Sequence, residues 1–251
     1  MLVVQTGCFH GTSENAISKS MSTEQSFPRT TATTVRRHPE RAHYDRALAY
    51  AILDEGLCCS VGFLSEGRPC VIPMTYARYG DKVVLHGASK SRISEALAAQ
   101  DSICVAVTLL DAIVFARSAM HHSMNYRSVM VFGKCTVLSE PEEKIEALKC
   151  LVEHVAKGRW NRVRTPSTAE LRATQVFAIP IDAASVKCRA GGPIEDPSDL
   201  MAQCWAGIVP LELTAGEPVS DPMHPPAVEP DASLVEYRRV PSRSANGKAR
   251  Q

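Results

Sequence analysis

The stretch Cys59–His86, CSVGFLSEGRPCVIPMTYARYGDKVVLH, decides the fold. Cys59 to Leu64 is an apolar run that leads into Ser65-Glu66-Gly67-Arg68. Pro69 to Arg78 leads into Tyr79-Gly80-Asp81, and Lys82 to His86 follows. Gly and Asp at these breaks supply the backbone freedom and local hydrogen bonding that a tight reversal needs. Parallel neighbours need a crossover of a dozen or more residues, so strands joined this closely pair antiparallel. A β-meander therefore opens the core of the chain.

The pattern continues on both sides. Residues 40–54 predict a helix, with Tyr44, Leu48 and Ile52 on one face and Gly56 just past the end. Ser91 to Gln100 predicts a short helix with Ser91 as N-cap, Glu95 nearby, and Ile93 and Leu97 sharing a face. Ile103–Leu109 and Ile113–Ala116 read as strands around Asp111, and Val129–Leu138 as a longer one. Ser139 is placed to cap a helix from Pro141 to about Ala156, with Gly158 after its end. Val176–Ile181 and Ser185–Arg189 form the last strand region. The total, six or seven short strands and three helices, predicts a mainly β, antiparallel barrel with helical cover.

At 251 residues, the chain is long enough for one domain with tails, and 45% hydrophobic and 22% charged residues are ordinary for a globular protein. A net charge of +1 argues against nucleic-acid or membrane-surface binding. No apolar run approaches the ~20 residues that span a bilayer. Met1 to Gln5 is apolar but lacks the basic start of a signal peptide. The nine cysteines are odd in number and irregularly spaced, with no CxxC pair. They read as mostly reduced and buried, in a cytoplasmic protein without structural zinc. Residues 1–35, rich in Ser and Thr, read as a disordered arm, with Met21 as an alternative start. The body spans 36–212. Residues 213–251 read as a mostly disordered tail, through His224-Pro225-Pro226 and the basic Arg238–Arg250 stretch, with Ser233-Leu234-Val235-Glu236-Tyr237 as a docking strand or turn.

Four segments carry candidate chemistry. Ser118–Gly133, SAMHHSMNYRSVMVFG, sets two His, Asn, Tyr, Arg and Ser residues at the mouth of a strand. It is either a grip for a polar, anionic ligand or a polar barrel rim. Leu85–Arg92, LHGASKSR, leaves a strand through Gly87 and enters a helix. Helix-start amides with Ser89, Lys90, Ser91 and Arg92 are the ingredients of a phosphate site, against the alternative of an ordinary capped turn. Pro73-Met74-Thr75-Tyr76 reads first as core strand and second as an edge for a planar ring. Trp205-Ala206-Gly207-Ile208-Val209-Pro210-Leu211 places a Trp as a lid or a core plug. There is no GxGxxG after a strand, no P-loop, no HExxH and no G-x-S-x-G. His121 and His122, as neighbours, diverge, and no nearby carboxylate completes a facial set, so no metal site is expected. Asp111 and Arg117 are expected to pair.

Taken together, six segments resemble the pyridoxamine 5′-phosphate oxidase-related, FMN-binding split-barrel family, in the branch of the nitroimidazole-resistance flavoproteins. They are RRHPERAHYD (36–45), GRPCVIPMTYARYGDKVVLHGASKSR (67–92), VTLLDAIVFARSAMHHSMNYRSVMVFG (107–133), ELRATQVFAIPI (170–181), SVKCRAGGPIED (185–196) and WAGIVPL (205–211). The resemblance implies a six-stranded antiparallel split β-barrel that forms a homodimer with FMN at the interface. It implies that Ile72, Met74 and Thr75 line the isoalloxazine, and that Ser89, Lys90 and Arg92 hold the phosphate. Tyr126, Arg127 and Ser128 would contact the flavin or its phosphate, from the second subunit, and Trp205 would close the site from the partner chain. His86 would stand beside the flavin as the catalytic residue. The residues that hold pyridoxal phosphate in the true oxidases have no counterpart here, so vitamin B6 oxidation is not implied. The function expected is an FMN-dependent oxidoreductase acting on a small molecule such as a nitroaromatic or quinone. The alternatives are a flavin carrier or sensor without catalysis, and a haem-binding split barrel with His121 or His122 as axial ligand.

Overall fold

The structure, a computed structural model, describes residues 25–100, 102–223, 229, 230, 234 and 237. Its strands are β1 (Ala42–His43), β2 (Cys58–Ser65), β3 (Arg68–Tyr79), β4 (Lys82–Ala88), β5 (Ile103–Phe115), β6 (Ser123–Gly133), β7 (Thr136–Val137), β8 (Thr174–Pro180), β9 (Ala183–Arg189) and β10 (Gly207–Pro210). The helices are α1 (Arg46–Glu55), α2 (Arg92–Ala99), α3 (Pro141–Val155) and α4 (Thr168–Ala173). The meander forms as its turns dictate. Ser65 pairs with Arg68 around Glu66 and Gly67, whose φ angles of 52° and 74° are the two left-handed residues of a tight hairpin. Tyr79 pairs with Lys82 around Gly80, at φ 58°.

All ladders are antiparallel, in the order β1-β9-β6-β5-β2-β3-β4-β8-β7, with β10 added to β5. The sheet has ten strands, because short pieces such as β1, β7 and β10 extend the edges beyond the six or seven expected. Inward side chains from across this path, among them Val61, Tyr76, Leu85, Val131, Phe177 and Val186, meet Ile52 of α1 in one buried cluster. A flat sheet cannot bring β8 and β9 into the same core, so the sheet curls on itself. Outside it, α3 covers Ala77, Val84, Val176 and Ala178 with Ala147 and Leu151.

Several boundaries differ from the sequence expectation, each for a local reason. Helix α1 begins at Arg46, not near residue 40, because Asp45 caps it by accepting from Leu48 N at 2.8 Å. Tyr44 therefore lies before the helix, and its hydroxyl donates to Thr33 O. No side chain caps α3, whose N-cap residue is Glu140 and not Ser139. The two strands expected around Asp111 are one, β5, kinked by a bulge between Leu110 and Ala112. Strand β6 starts at Ser123, so Met124–Ser128 lie in the ladder, and it ends at Gly133 with β7 separate. Helix α4 was not expected; a capping box between Ser167 and Glu170 starts it.

Packed structure also starts before residue 36. Phe27 is 3% exposed, its amide donates to Tyr44 O, and the Arg46 guanidinium lies over its ring. At the other end, residues 213–223 are exposed and irregular, while the Tyr237 hydroxyl docks on Val155 O at 2.6 Å. Met21, Ser233, Val235, Glu236, His224-Pro225-Pro226 and Arg238–Arg250 lie outside the described residues. The described cysteines are free thiols, but only Cys59 and Cys135 are buried, and burial pushes both up to about 12. Cys58 and Cys204 are exposed, against the expectation of mostly buried thiols. Among the described residues no helix is long and apolar enough to cross a membrane.

Candidate functional site

Strand alternation places the first group of site residues. On β4, Val83 and Leu85 face the barrel interior, whereas Val84 and His86 face outward. Val84 lies under α3; His86, two residues on, is exposed. Tyr76 opposes Leu85 and both are buried, so Thr75 faces outward beside His86, next to the exposed Cys58, its partner on β2. Ile72 and Met74 point the other way and pack against the core. Partial desolvation of the His86 ring lowers its pKa.

The chain then leaves β4 through a loop held by its own hydrogen bonds. Ser89 N donates to Ala173 O at 2.9 Å and Ser91 N to Ala88 O at 3.0 Å. Ser91 Oγ accepts from Ser94 N and donates to Ser94 Oγ, which donates in turn to Ala88 O at 2.8 Å. A Cβ on Gly87 would sit 3.0 Å from Ser94 Oγ, so a larger residue would push that hydroxyl back. Ser91 and Ser94 are thus spent on the turn. The side chains of Ser89, Lys90 and Arg92 engage no hydrogen bond or ion pair among the described residues. The corner at the start of α2 presents two cations and a hydroxyl with unused donors, which suits a phosphate group.

A second corner forms where β5 gives way to β6. The Phe115 ring meets His122 edge-on at 5.9 Å and Trp205 at 5.9 Å. Trp205 is 66% exposed and its indole lies across Gly207, where a Cβ would come within 2.8 Å. Both histidines turn back to Ser118, His121 Nδ1 to its hydroxyl at 2.6 Å and His122 Nδ1 to its carbonyl at 3.0 Å. A carbonyl only accepts, so His122 Nδ1 carries the proton and its Nε2 holds the lone pair when the ring is neutral. On β6, Tyr126 and Ser128 lie on the face opposite the buried Val129, and Ser128 Oγ donates to Lys187 O. In the strand order, β3, β2 and β5 separate β4 from β6. The Ser89–Arg92 corner and the Tyr126–Ser128 row therefore belong to different parts of one chain's sheet.

Arg127 is committed to carboxylates. Its guanidinium binds Glu55 through two bonds of 2.5 and 2.8 Å, and Asp111 at 2.7 Å. These anions raise its pKa further. Asp111 pairs with Arg127, not with Arg117 as expected. Arg117 instead binds Glu195 through Nη1 at 2.6 Å and through its backbone amide, and this holds the Glu195 carboxyl below its usual range. Sequence reasoning missed Glu55 and Glu195, and also the buried Arg189, which donates to Asn125 Oδ1 and to the Gly191 and Gly192 carbonyls. It also missed that Asp196 and Asp199 approach His121, where no carboxylate was expected.

The family model described as pyridoxamine 5′-phosphate oxidase matches residues 45–188. No curated protein matches the chain. Among solved structures, a flavocytochrome from Azotobacter vinelandii superposes with a TM-score of 0.79 at 36% identity, covering 83% of this chain and 97% of that one. An FAD and haem binding protein from Mycobacterium smegmatis gives 0.74 at 32% identity, covering 77% and 95%. A Bacteroides thetaiotaomicron protein provisionally assigned to 5-nitroimidazole antibiotic resistance gives 0.51 at 25% identity, covering 58% and 85%.

Proposed function

The chain belongs to the pyridoxamine 5′-phosphate oxidase family, and from that premise we propose that it binds a flavin nucleotide, FMN, and works as an oxidoreductase on a small molecule. The observation that carries this reading is the corner at the start of α2. Lys90, Arg92 and the Ser89 hydroxyl have donors left over, beside an outward-facing His86. Ser89, Lys90 and Arg92 would hold a flavin nucleotide's phosphate, and the residues on the exposed face of β3 and β4 would meet its ring. On that face Thr75, not Ile72 or Met74, offers its side chain. The bound flavin supplies the electron transfer. His86, whose lowered pKa keeps the ring neutral near pH 7, holds or accepts a proton at a ring nitrogen facing that surface. Arg127, already neutralised by Glu55 and Asp111, orders the barrel end rather than binding phosphate.

The reading includes a second copy of the chain. Val71, Leu110, Met124, Met130, Phe115 and Ile208 are large apolar side chains exposed along the sheet. A homodimer buries such a surface and brings Tyr126, Ser128 and Trp205 of one copy toward the β4 corner of the other.

Titration with riboflavin, FMN and FAD tests the phosphate assignment. FMN and FAD are expected to bind at least tenfold more tightly than riboflavin, which has no phosphate. Equal affinity for riboflavin overturns it. Binding without turnover by any reductant makes the protein a carrier or sensor.

A second reading adds haem. Two similar structures, a flavocytochrome and an FAD and haem binding protein, cover most of this chain. With Nδ1 donating to Ser118 O, His122 would offer Nε2 to a haem iron. A Soret band on haem addition, lost in His122→Ala, supports it; no band sinks it.

A further inference from the structure

We propose that His121, Asp196 and Asp199 form a site for a divalent transition-metal ion, separate from the flavin and haem readings above. One imidazole nitrogen and one oxygen from each carboxylate lie within 4.8 Å of one another. His121 ends the 3-10 turn Ala119–His121, Asp196 is the N-cap residue of the 3-10 turn Pro197–Met201, and Asp199 lies within that turn. With about three residues per turn, a 3-10 helix stacks positions i and i+3 on one side. Asp199 N donates to Asp196 O at 2.9 Å, so the spacing puts both carboxylates on the side that meets His121. The imidazole nitrogen nearest Asp199 is Nδ1, which also meets Ser118 Oγ at 2.6 Å, so an ion bound there takes the place of that hydroxyl contact.

Charge points the same way. Glu195, Asp196 and Asp199 bring three carboxylates to this corner, against one guanidinium, Arg117. Arg117 is spent on Glu195, whose two oxygens take its Nη1 and its backbone amide. The carboxylates of Asp196 and Asp199 accept no hydrogen bond among the described residues, and His121 Nδ1 lies 3.8 Å from Asp199 Oδ2, beyond hydrogen-bond reach. Two carboxylates with no hydrogen-bond donor among the described residues, beside an imidazole, gain from a dication. Metal–ligand bonds of about 2.0–2.2 Å require the three atoms to close by roughly an ångström, which side-chain rotation at this surface allows. One nitrogen with two oxygens suits manganese, iron or zinc over calcium or magnesium, which take oxygen alone. The ion would pin the segment after β9 to the β5–β6 connection, just before the chain reaches Trp205 and lays it on Phe115.

Manganese is the probe, because it avoids the free thiols that would also take up zinc. The full chain, stripped with chelator, is titrated with Mn2+ while free ion is read by electron paramagnetic resonance. One bound equivalent per chain is expected, with affinity at least tenfold weaker in Asp196→Asn/Asp199→Asn. No saturable binding, or equal binding by a folded double variant, overturns the proposal. Should the variant not fold, the wild-type complex decides alone. Its spin-echo spectrum must carry the modulation of one imidazole nitrogen, and a spectrum without it refutes the site.

Discussion

Arg127 shows how one residue's role depends on partners far away in sequence. Glu55 is 72 residues distant and Asp111 is 16. Glu55, at 13% exposure, is more shielded than Asp111, at 36%, and its two bonds of 2.5 and 2.8 Å are tighter than most of the three, of 2.7, 3.1 and 3.2 Å, that Asp111 accepts. A charged hydrogen bond at a part-buried site contributes about 1.5–3 kcal/mol. Glu55→Gln is therefore expected to cost about 2 kcal/mol in urea unfolding and Asp111→Asn clearly less. Equal losses would contradict this ranking. His86 gives a prediction in pH. Its folded pKa is lowered by desolvation, so the unfolded chain binds the proton more readily. The stability linked to it is present above the unfolded value, about 6.5, and is lost as pH falls through the lower folded value. Turnover is expected to show an acid limb below about pH 6.5 that disappears in His86→Asn while flavin stays bound. An unchanged pH profile in the variant would remove His86 from the mechanism.

At the scale of elements, what was legible was local. Turn chemistry at Glu66-Gly67 and Gly80, and the alternation of β2 to β4, gave the meander its antiparallel pairing. The Ser91 cap and the proline start of α3 were equally readable. Tyr44 misled because it continues the i, i+4 spacing of Leu48 and Ile52 although it lies before the helix; Asp45, with an extended backbone, decides the boundary, and a cap outweighs periodicity there. The bulge at Asp111 looked like a break because one polar residue interrupts an apolar strand. The site was legible in the same uneven way. The Ser89–Arg92 corner is contiguous and could be read, whereas the Arg117–Glu195 pair, 78 residues apart, exists only after folding. Gly56 joins α1 to β2 at φ −68°, so any residue fits its backbone, but a Cβ would lie 2.5 Å from Val107 Cγ1 and 2.6 Å from the Tyr76 hydroxyl. That hydroxyl donates to Leu53 O at 2.6 Å in the core. Gly56→Ala is expected to cost about 1–3 kcal/mol through overpacking, and Tyr76→Phe about 1 kcal/mol, both as midpoint shifts at constant denaturant slope. A neutral Gly56→Ala would show that this junction is looser than its contacts.

At the scale of the whole molecule, the curled sheet leaves apolar side chains outside, on β3, β5, β6 and β10. We expect a dimer in sedimentation, and expect Val71→Glu with Ile208→Glu to yield a monomer that binds flavin more weakly, since the β4 corner then lacks the second copy. A monomeric wild type would leave the flavin site to one chain. The family match and the similar structures agree on the fold, and the residues of the β4–α2 corner carry the functional claim. The most direct measurement is the absorbance spectrum of the protein after FMN addition and exhaustive desalting, with Lys90→Ala/Arg92→Ala beside it. The account predicts flavin bands that stay with the wild type and leave with the variant, while both remain folded. A wild type that retains no flavin, or a variant that retains it fully, would contradict the claim that this corner holds the phosphate.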